Sequence, residues 1–204
     1  DEPVSYVYLV DVSGSIDGSR LEEMKEYLRL VTAGLRANDR VCLITLGNTL
    51  SIGEFTSGRE NINNQIEAIE GLYDDTNLYY GIVESLELLS RQGDGKKVLL
   101  ILSDGEDEQA SGITREEVDK AIEEYTIPIY TAAMLGDHSD TASQEFAKIL
   151  GSFARLSAGG IHTAFGVEDI TLENSAARMA ASIDDSIILT ADVSGYETGS
   201  GQAY

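Results

Sequence analysis

The sequence predicts an α/β domain with a doubly wound, mostly parallel β-sheet and one antiparallel strand at an edge. Three observations support this fold class. Short apolar runs alternate along the chain with longer amphipathic segments, as in strands joined by crossover helices. Several of these runs are apolar at nearly every position, which is typical of strands covered by helices on both faces. Capping signals precede several of the amphipathic segments.

Six apolar runs are predicted to be strands. They are 4–10, 41–46, 50–55, 98–102, 127–135 and 161–165. The second and third runs are separated only by Gly47, Asn48 and Thr49, a link short enough for a β-hairpin. This link predicts the antiparallel strand and places it at an edge of the sheet.

Between the strands, apolar residues recur at intervals of three and four, so each segment is predicted to be a helix with one buried face. The stripes lie in 21–35, 78–89, 146–156 and 172–183, with weaker helices at 60–71 and 115–124. Four residue pairs at the capping-box spacing predict helix starts: Ser19–Glu22, Ser57–Glu60, Thr114–Glu117 and Thr141–Gln144.

The composition argues against several classes of function. The 204 residues include 14 Lys and Arg against 36 Asp and Glu, and the net charge is −22 at pH 7. Such a surface repels phosphate backbones and anionic lipids, so nucleic-acid binding is not expected. No apolar run reaches the ~18 residues that span a bilayer, so direct membrane insertion is not expected either. The single cysteine, Cys42, is predicted to be a buried structural thiol.

One domain is predicted over residues 1–185, and the residues after it differ in composition. Residues 186–193 are predicted to form another strand, and 194–204 are rich in glycine and small polar residues. We therefore expect 186–204 to be a strand and linker that lead into a following β-rich domain.

Residues with side-chain oxygens lie at three points where ligands bind in this class of fold, outside the carboxyl ends of the strands. Asp11, Ser13 and Ser15 follow the first strand, Asp104 follows the strand 98–102, and Thr76 precedes the helix 78–89. Because the set contains only oxygen ligands, it favours Mg²⁺, with Ca²⁺ or Mn²⁺ as alternatives, and disfavours zinc and copper. A cation would also neutralise a carboxylate at the end of a buried strand.

These residues resemble the motif of von Willebrand factor type A domains, which are related to integrin I domains. The sequence DVSGS at 11–15 matches the D-x-S-x-S signature of that family, and Thr76 and Asp104 match its later threonine and aspartate. The resemblance covers about residues 1–185. It implies a metal-ion-dependent adhesion site, usually occupied by magnesium, with five residues in contact with the ion, some directly and some through water: Asp11, Ser13, Ser15, Thr76 and Asp104.

A charge count suggests how such a site would bind a partner. Two carboxylates balance the cation, and an octahedral ion keeps a position for an oxygen from outside. The prediction is a metal-dependent protein-binding module, not an enzyme, that captures an Asp or Glu side chain of a protein ligand. Acidic residues near the predicted mouth would favour a ligand with basic flanking residues. The residues predicted for the partner-binding rim are Asp75, Asn77, Tyr79 and Glu106.

Two alternative functions remain open from the sequence. A strand that ends in aspartate near magnesium also describes phosphoryl-transfer hydrolases of the haloacid dehalogenase type, although these have a second aspartate where this chain has Ser13. The other alternative is a scaffold domain with a purely structural ion.

A bacterial cell surface is the expected setting, with an intracellular one as the alternative. This expectation rests on the abrupt start at Asp1, on the tail, and on similarity to type A domains of exported bacterial proteins. In integrin relatives the last helix, here 169–183, slides when the site is occupied, but no residue specifically supports such a switch in this chain.

Overall fold

In the computed structural model, the described residues form a central sheet of seven strands with three helices on each face. The structure describes residues 3–16, 18–71, 75–108, 111–135, 141–157, 160–165 and 170–185. The strands are β1 (Ser5–Asp11), β2 (Arg40–Leu46), β3 (Leu50–Ile52), β4 (Thr56–Ser57), β5 (Lys97–Ser103), β6 (Ile129–Met134) and β7 (His162–Phe165). The helices are α1 (Gly18–Ala33), α2 (Arg59–Glu67), α3 (Leu78–Ser90), α4 (Arg115–Tyr125), α5 (Thr141–Leu156) and α6 (Leu172–Asp185).

The sheet is mostly parallel, with the strand order β3-β2-β1-β5-β6-β7. Strands β3 and β4 pair antiparallel with β2, and the other pairs are parallel. The predicted fold class is therefore confirmed. The strand predicted over 50–55 is shorter, however, and ends at Ile52. Phe55, beyond its end, packs against the core and under the guanidinium group of Arg40.

Both faces of the sheet are buried, because β1 and β5 carry apolar side chains on both sides. One face packs against α1, α2 and α6, and the other packs against α3, α4 and α5. All seven positions of β1 are buried. The helix layers therefore cover β1 as far as its last residue, Asp11.

All six predicted helices are present, but the capping-box spacing predicts too many caps. The Thr114 hydroxyl accepts a hydrogen bond from the Glu117 amide, and the Glu117 carboxylate accepts one from the Thr114 amide. Ser19 instead lies within α1, and α2 begins after Gly58, which makes no side-chain cap bond. Thr141 is already the first residue of α5, so it does not precede that helix as a cap would.

Cys42, the absence of a membrane-spanning helix and the tail were also predicted from the sequence. Cys42 is buried, its thiol donates to Gly53 O at 3.2 Å, and burial raises its pKa to about 11, as expected of a structural thiol. No helix in the described ranges is long and apolar enough to cross a bilayer. The strand and linker predicted over 186–204 lie outside the described residues, so the domain boundary near 185 stays a prediction.

We predict that Thr114→Ala lowers the free energy of unfolding by about 1 kcal/mol, because the substitution removes the capping hydroxyl of a complete capping box. Ser57→Ala is the matched control, since α2 begins without a side-chain cap, and it should cost less than about 0.5 kcal/mol. Urea titration of both variants measures the difference. Equal losses would contradict the assignment of the caps.

Candidate metal centre

The candidate site lies at the carboxyl ends of β1 and β5, where the winding of the sheet reverses. From β1 the chain crosses through α1 to β2 on one side, and from β5 it crosses through α4 to β6 on the other. A crevice opens at such a point, and ligands of doubly wound sheets bind there. Val10 pairs with Leu102, so the next residues, Asp11 and Ser103, lie side by side.

Asp11 is a fully buried carboxylate that accepts several hydrogen bonds. Ser13 N donates to Oδ1 at 3.0 Å, and Ser103 Oγ donates to Oδ2 at 2.7 Å. Burial, together with the nearby negative charge of Asp104, raises the pKa of Asp11 to about 6, and the hydrogen bonds only partly offset this rise. Among the described residues, no basic side chain contributes to the shift, so the ionised carboxylate has no counter-ion there.

Ser13, Ser15 and Asp104 surround this carboxylate. Ser13 Oγ lies 3.1 Å from Ser15 Oγ, and the Ser13 side chain lies near enough to Asp11 to lower the pKa of that carboxylate. Asp104 is buried close enough to act electrostatically on Asp11, and its Oδ1 accepts a hydrogen bond from Glu106 N at 3.1 Å. The structure therefore brings two carboxylates and two hydroxyls together from adjacent strand ends.

The loop that carries Thr76 reaches the same edge of the sheet from the side of β2. Asn77 N donates to Gly47 O at 3.4 Å, just after β2 ends. Helix α3 can approach the sheet closely because Gly81 faces it, and a Cβ at this position would lie 3.2 Å from Leu46 and 3.3 Å from Leu9. All five predicted ligands thus lie at one edge of the sheet, and their role as ligands stays a prediction.

Ser103 belongs to this site, although the sequence did not single it out. Its hydroxyl donates to Asp11 and accepts from Gly105 N at 2.9 Å. Gly105 has φ +91°, and a Cβ there would lie 2.5 Å from Phe146 O, so only glycine fits this turn. In the sequence, Ser103 is recognisable only as a serine at the end of an apolar strand. That it lies beside Asp11 follows from the register of β1 and β5, which the sequence does not give.

Two residues predicted for the partner-binding rim lie inside the protein, which corrects their expected position. Tyr79 is 7% exposed and packs edge-on against Phe153, with 6.0 Å between ring centroids. Its neighbour Tyr80 is 37% exposed, because one residue around a helix turns the side chain by about 100°. Asn77 is buried, donates to Asn48 O at 2.8 Å and accepts from Ser111 N at 2.9 Å.

The other two rim residues, Asp75 and Glu106, lie where a partner can reach them. Asp75 is exposed, and Glu106 is partly exposed. Partial burial, Asp104 and Glu108 raise the pKa of Glu106. Tyr80 lines an open cavity of about 400 Å³ with Asn48, Asn77, Ser111 and Ile113.

The donor set fits a hard divalent cation. A buried carboxylate without a counter-ion is costly, and Asp104 adds a second negative charge beside it. A divalent cation would offset both charges, and the hydroxyls would add neutral oxygen ligands. Within the described ranges, no group of three or more His, Cys, Asp or Glu residues is arranged to hold a metal, so binding here would depend on the hydroxyls and on water.

Comparisons with known proteins agree with this fold. Residues 6–106 match the model of the von Willebrand factor type A domain. An aerotolerance-related membrane protein from Bacteroides fragilis superposes with a TM-score of 0.68 at 15% identity, over 89% of this chain and 98% of that chain. A von Willebrand factor type A structure from Catenulispora acidiphila superposes with a TM-score of 0.68 at 15% identity, over 89% of this chain and 43% of that chain. The chain has the von Willebrand factor type A fold.

A further structure with this fold carries a metal. Proximal thread matrix protein 1 from the mussel byssus, with a zinc-occupied MIDAS motif, gives a TM-score of 0.68 at 12% identity, over 88% of this chain and 46% of that chain. Zinc can therefore occupy such a motif in that protein, whereas the oxygen-only ligand set of this chain was expected to disfavour zinc. No curated protein is significantly similar to this chain in sequence.

The raised pKa of Asp11 predicts that the metal-free fold gains stability as the pH falls from about 6 towards 3.8. In chelator at pH 7.5, Asp11→Asn should stabilise the protein by about 2 kcal/mol. The rise of the Asp11 pKa from 3.8 to about 6 corresponds to a cost of about 3 kcal/mol for the buried, ionised carboxylate. Asparagine should recover less than this full amount, because its amide fits the Ser103 hydroxyl less well. At pH 5 about a third of the gain should remain, because protonation of the folded wild type roughly halves the cost of burying Asp11 while the loss from the poorer fit of the amide stays the same.

Urea titration at both pH values measures this effect, and Asp75→Asn at an exposed position of the same edge is the control. If Asp11→Asn were less stable than the wild type at pH 7.5 in chelator, ionised Asp11 would not be a source of instability.

Proposed function

We propose that this chain is a metal-dependent protein-binding module, not an enzyme, that captures an Asp or Glu side chain of a partner through a divalent cation. The supporting observation is the buried Asp11 carboxylate, which lies beside Asp104 without a basic partner in the described part of the chain. Asp11, Ser13, Ser15, Thr76 and Asp104 would hold the ion. When bound, it supplies a positive centre with a position open to an outside carboxylate.

The chain's own residues prepare this site before an ion binds. Ser13 N and Ser103 Oγ each hold one oxygen of Asp11, and Glu106 N holds one oxygen of Asp104. A carboxylate that is already oriented loses less conformational freedom on binding a metal. Such orientation is favourable for a binding site that must remain in one geometry while a partner docks.

The surroundings of the site favour a partner whose acidic side chain is flanked by Lys or Arg. Asp75 is exposed and Glu106 is partly exposed, and the chain carries a net charge of −22. Tyr80, exposed in its open cavity, is an aromatic residue available for contact in place of the buried Tyr79. Because the attraction acts through exposed charges, partner binding should weaken as the salt concentration rises.

The proposed resident ion is Mg²⁺, with Ca²⁺ or Mn²⁺ as alternatives, and the proposed setting is the bacterial cell surface. The oxygen-only donor set supports the choice of ion. The setting is supported by the similar structure from Bacteroides fragilis, which is that of a membrane protein.

Titration calorimetry with Mg²⁺, Mn²⁺, Ca²⁺ and Zn²⁺ tests the metal site. We expect the wild type to bind at least one of these ions, and Asp11→Ala and Asp104→Ala each to weaken binding by about 100-fold or more, because each removes half of the balancing negative charge. Glu123→Ala, an exposed charge on α4, is the control and should bind as the wild type does. Wild-type protein that takes up no ion would contradict the proposal.

A peptide-binding experiment distinguishes capture of a partner's carboxylate from a purely structural role of the ion. Immobilised protein should retain a library of peptides with a central Glu flanked by Lys in the presence of Mg²⁺, and should release it in chelator. The same library with Gln in place of Glu is the control and should not be retained. Retention of both libraries, or of neither, would contradict capture of a carboxylate.

A phosphatase assay tests the alternative function. If the wild type hydrolysed p-nitrophenyl phosphate and Asp11→Asn did not, the result would favour the hydrolase instead.

A further inference from the structure

Two acidic side chains of the segment after β5 turn back onto the loop that carries Thr76. Glu108 Oε2 accepts a hydrogen bond from Thr76 N at 2.8 Å, and Glu108 N donates to Thr76 O at 3.0 Å. Asp107 Oδ1 accepts from Tyr79 N at 3.0 Å. The Glu108 side chain thus bonds to the backbone of the loop that carries Thr76, and the Asp107 side chain bonds to the backbone of the first turn of α3, although Glu108 remains exposed and Asp107 partly exposed.

These bonds satisfy backbone donors that would otherwise be unpaired. The first N–H groups of a helix have no partner within the helix, and Asn77 makes no side-chain cap bond for α3. Asp107 supplies an acceptor for Tyr79 N, near the positive end of the helix dipole. Glu108 does the same for Thr76 N, just before the helix. Hydrogen bonds to ionised acceptors are stronger than neutral ones, so the two contacts fix Thr76 and the first turn of α3 against the segment after β5.

The segment that carries these side chains also carries Asp104 and has a fixed course. Gly105 follows Asp104 at φ +91°, and its Cα lies so close to Phe146 of α5 that no side chain fits between them. Glu108 then binds both the N–H and the C=O group of Thr76. One short segment therefore connects the backbone of Asp104 to the backbone of Thr76.

We propose that Asp107 and Glu108 form an acidic brace that positions Thr76 relative to Asp104. The acidic brace is a pair of positioning residues and not part of the partner-binding rim. This inference rests on the proposed metal site, since it assigns to the brace the task of holding one candidate ligand in place for the others.

Two substitutions of Glu108 separate positioning from a simple charge effect. Glu108→Gln keeps a side-chain oxygen that accepts from Thr76 N but removes the negative charge. Glu108→Ala removes both. Glu123→Ala is the matched control, because it removes the same charge from the exposed far end of α4, away from the candidate site.

Calorimetric titration with Mg²⁺ at a fixed salt concentration compares these variants. Positioning predicts that Glu108→Ala weakens Mg²⁺ binding by about 10-fold or more, while Glu108→Gln stays within about threefold of the wild type. Glu123→Ala should leave the affinity unchanged. Equal losses in the Gln and Ala variants would show that the charge acts directly on the ion and would overturn the positioning role. An unchanged affinity in Glu108→Ala would overturn it as well.

Amide hydrogen exchange in chelator tests the acidic brace without any metal. The Thr76 amide should exchange faster in Glu108→Ala than in the wild type, and at the wild-type rate in Glu108→Gln. Unchanged Thr76 exchange in Glu108→Ala would overturn the acidic brace by itself. If the wild type bound no ion in the titration, the proposed function would fail, and the assigned task of the brace would fail with it. If it bound Mg²⁺ and Glu108→Ala bound equally well, only this inference would fail.

Discussion

The burial of Asp11 at the end of the central strand is the constraint on which the rest of the structure depends. Because β1 is apolar on both faces, helices cover it to its last residue, and the carboxylate is removed from water. Hydrogen bonds from Ser13 and Ser103 reduce the cost of burial but leave the negative charge in place. Asp104 adds a second negative charge nearby. A bound divalent cation would relieve this arrangement, and the proposed function follows from that need.

The acidic residues of this chain differ in role although they contribute equally to its net charge. Asp104 is buried beside Asp11, and Asp75 is exposed. Asp107 bonds to the first turn of α3, and Glu108 bonds to the backbone of Thr76. Burial and hydrogen bonding make these distinctions, and composition cannot. Attraction of a basic partner is therefore assigned to exposed carboxylates such as Asp75, the buried Asp104 belongs to the candidate site itself, and Glu108 is both exposed and bonded to Thr76.

The features that the sequence predicted well depend on short-range patterns. The alternation of strands and helices, and the grouping of Ser13 and Ser15 after Asp11, can each be recognised within a few residues. The features it missed depend on contacts between distant segments, as in the bond from Ser103 to Asp11 and the bonds between Glu108 and Thr76. Whether a tyrosine in the first turn of α3 is buried or exposed likewise depends on how the helix is rotated against the sheet.

A crystal grown or soaked in Mn²⁺ gives the most direct test of the central claim, because the anomalous signal locates the ion without assumptions about ligands. We predict one strong peak at the carboxyl ends of β1 and β5, about 2 Å from oxygens of the Asp11 and Asp104 neighbourhood. A map without a peak at that edge, or with Mn²⁺ bound only at the exposed carboxylates elsewhere, would contradict it.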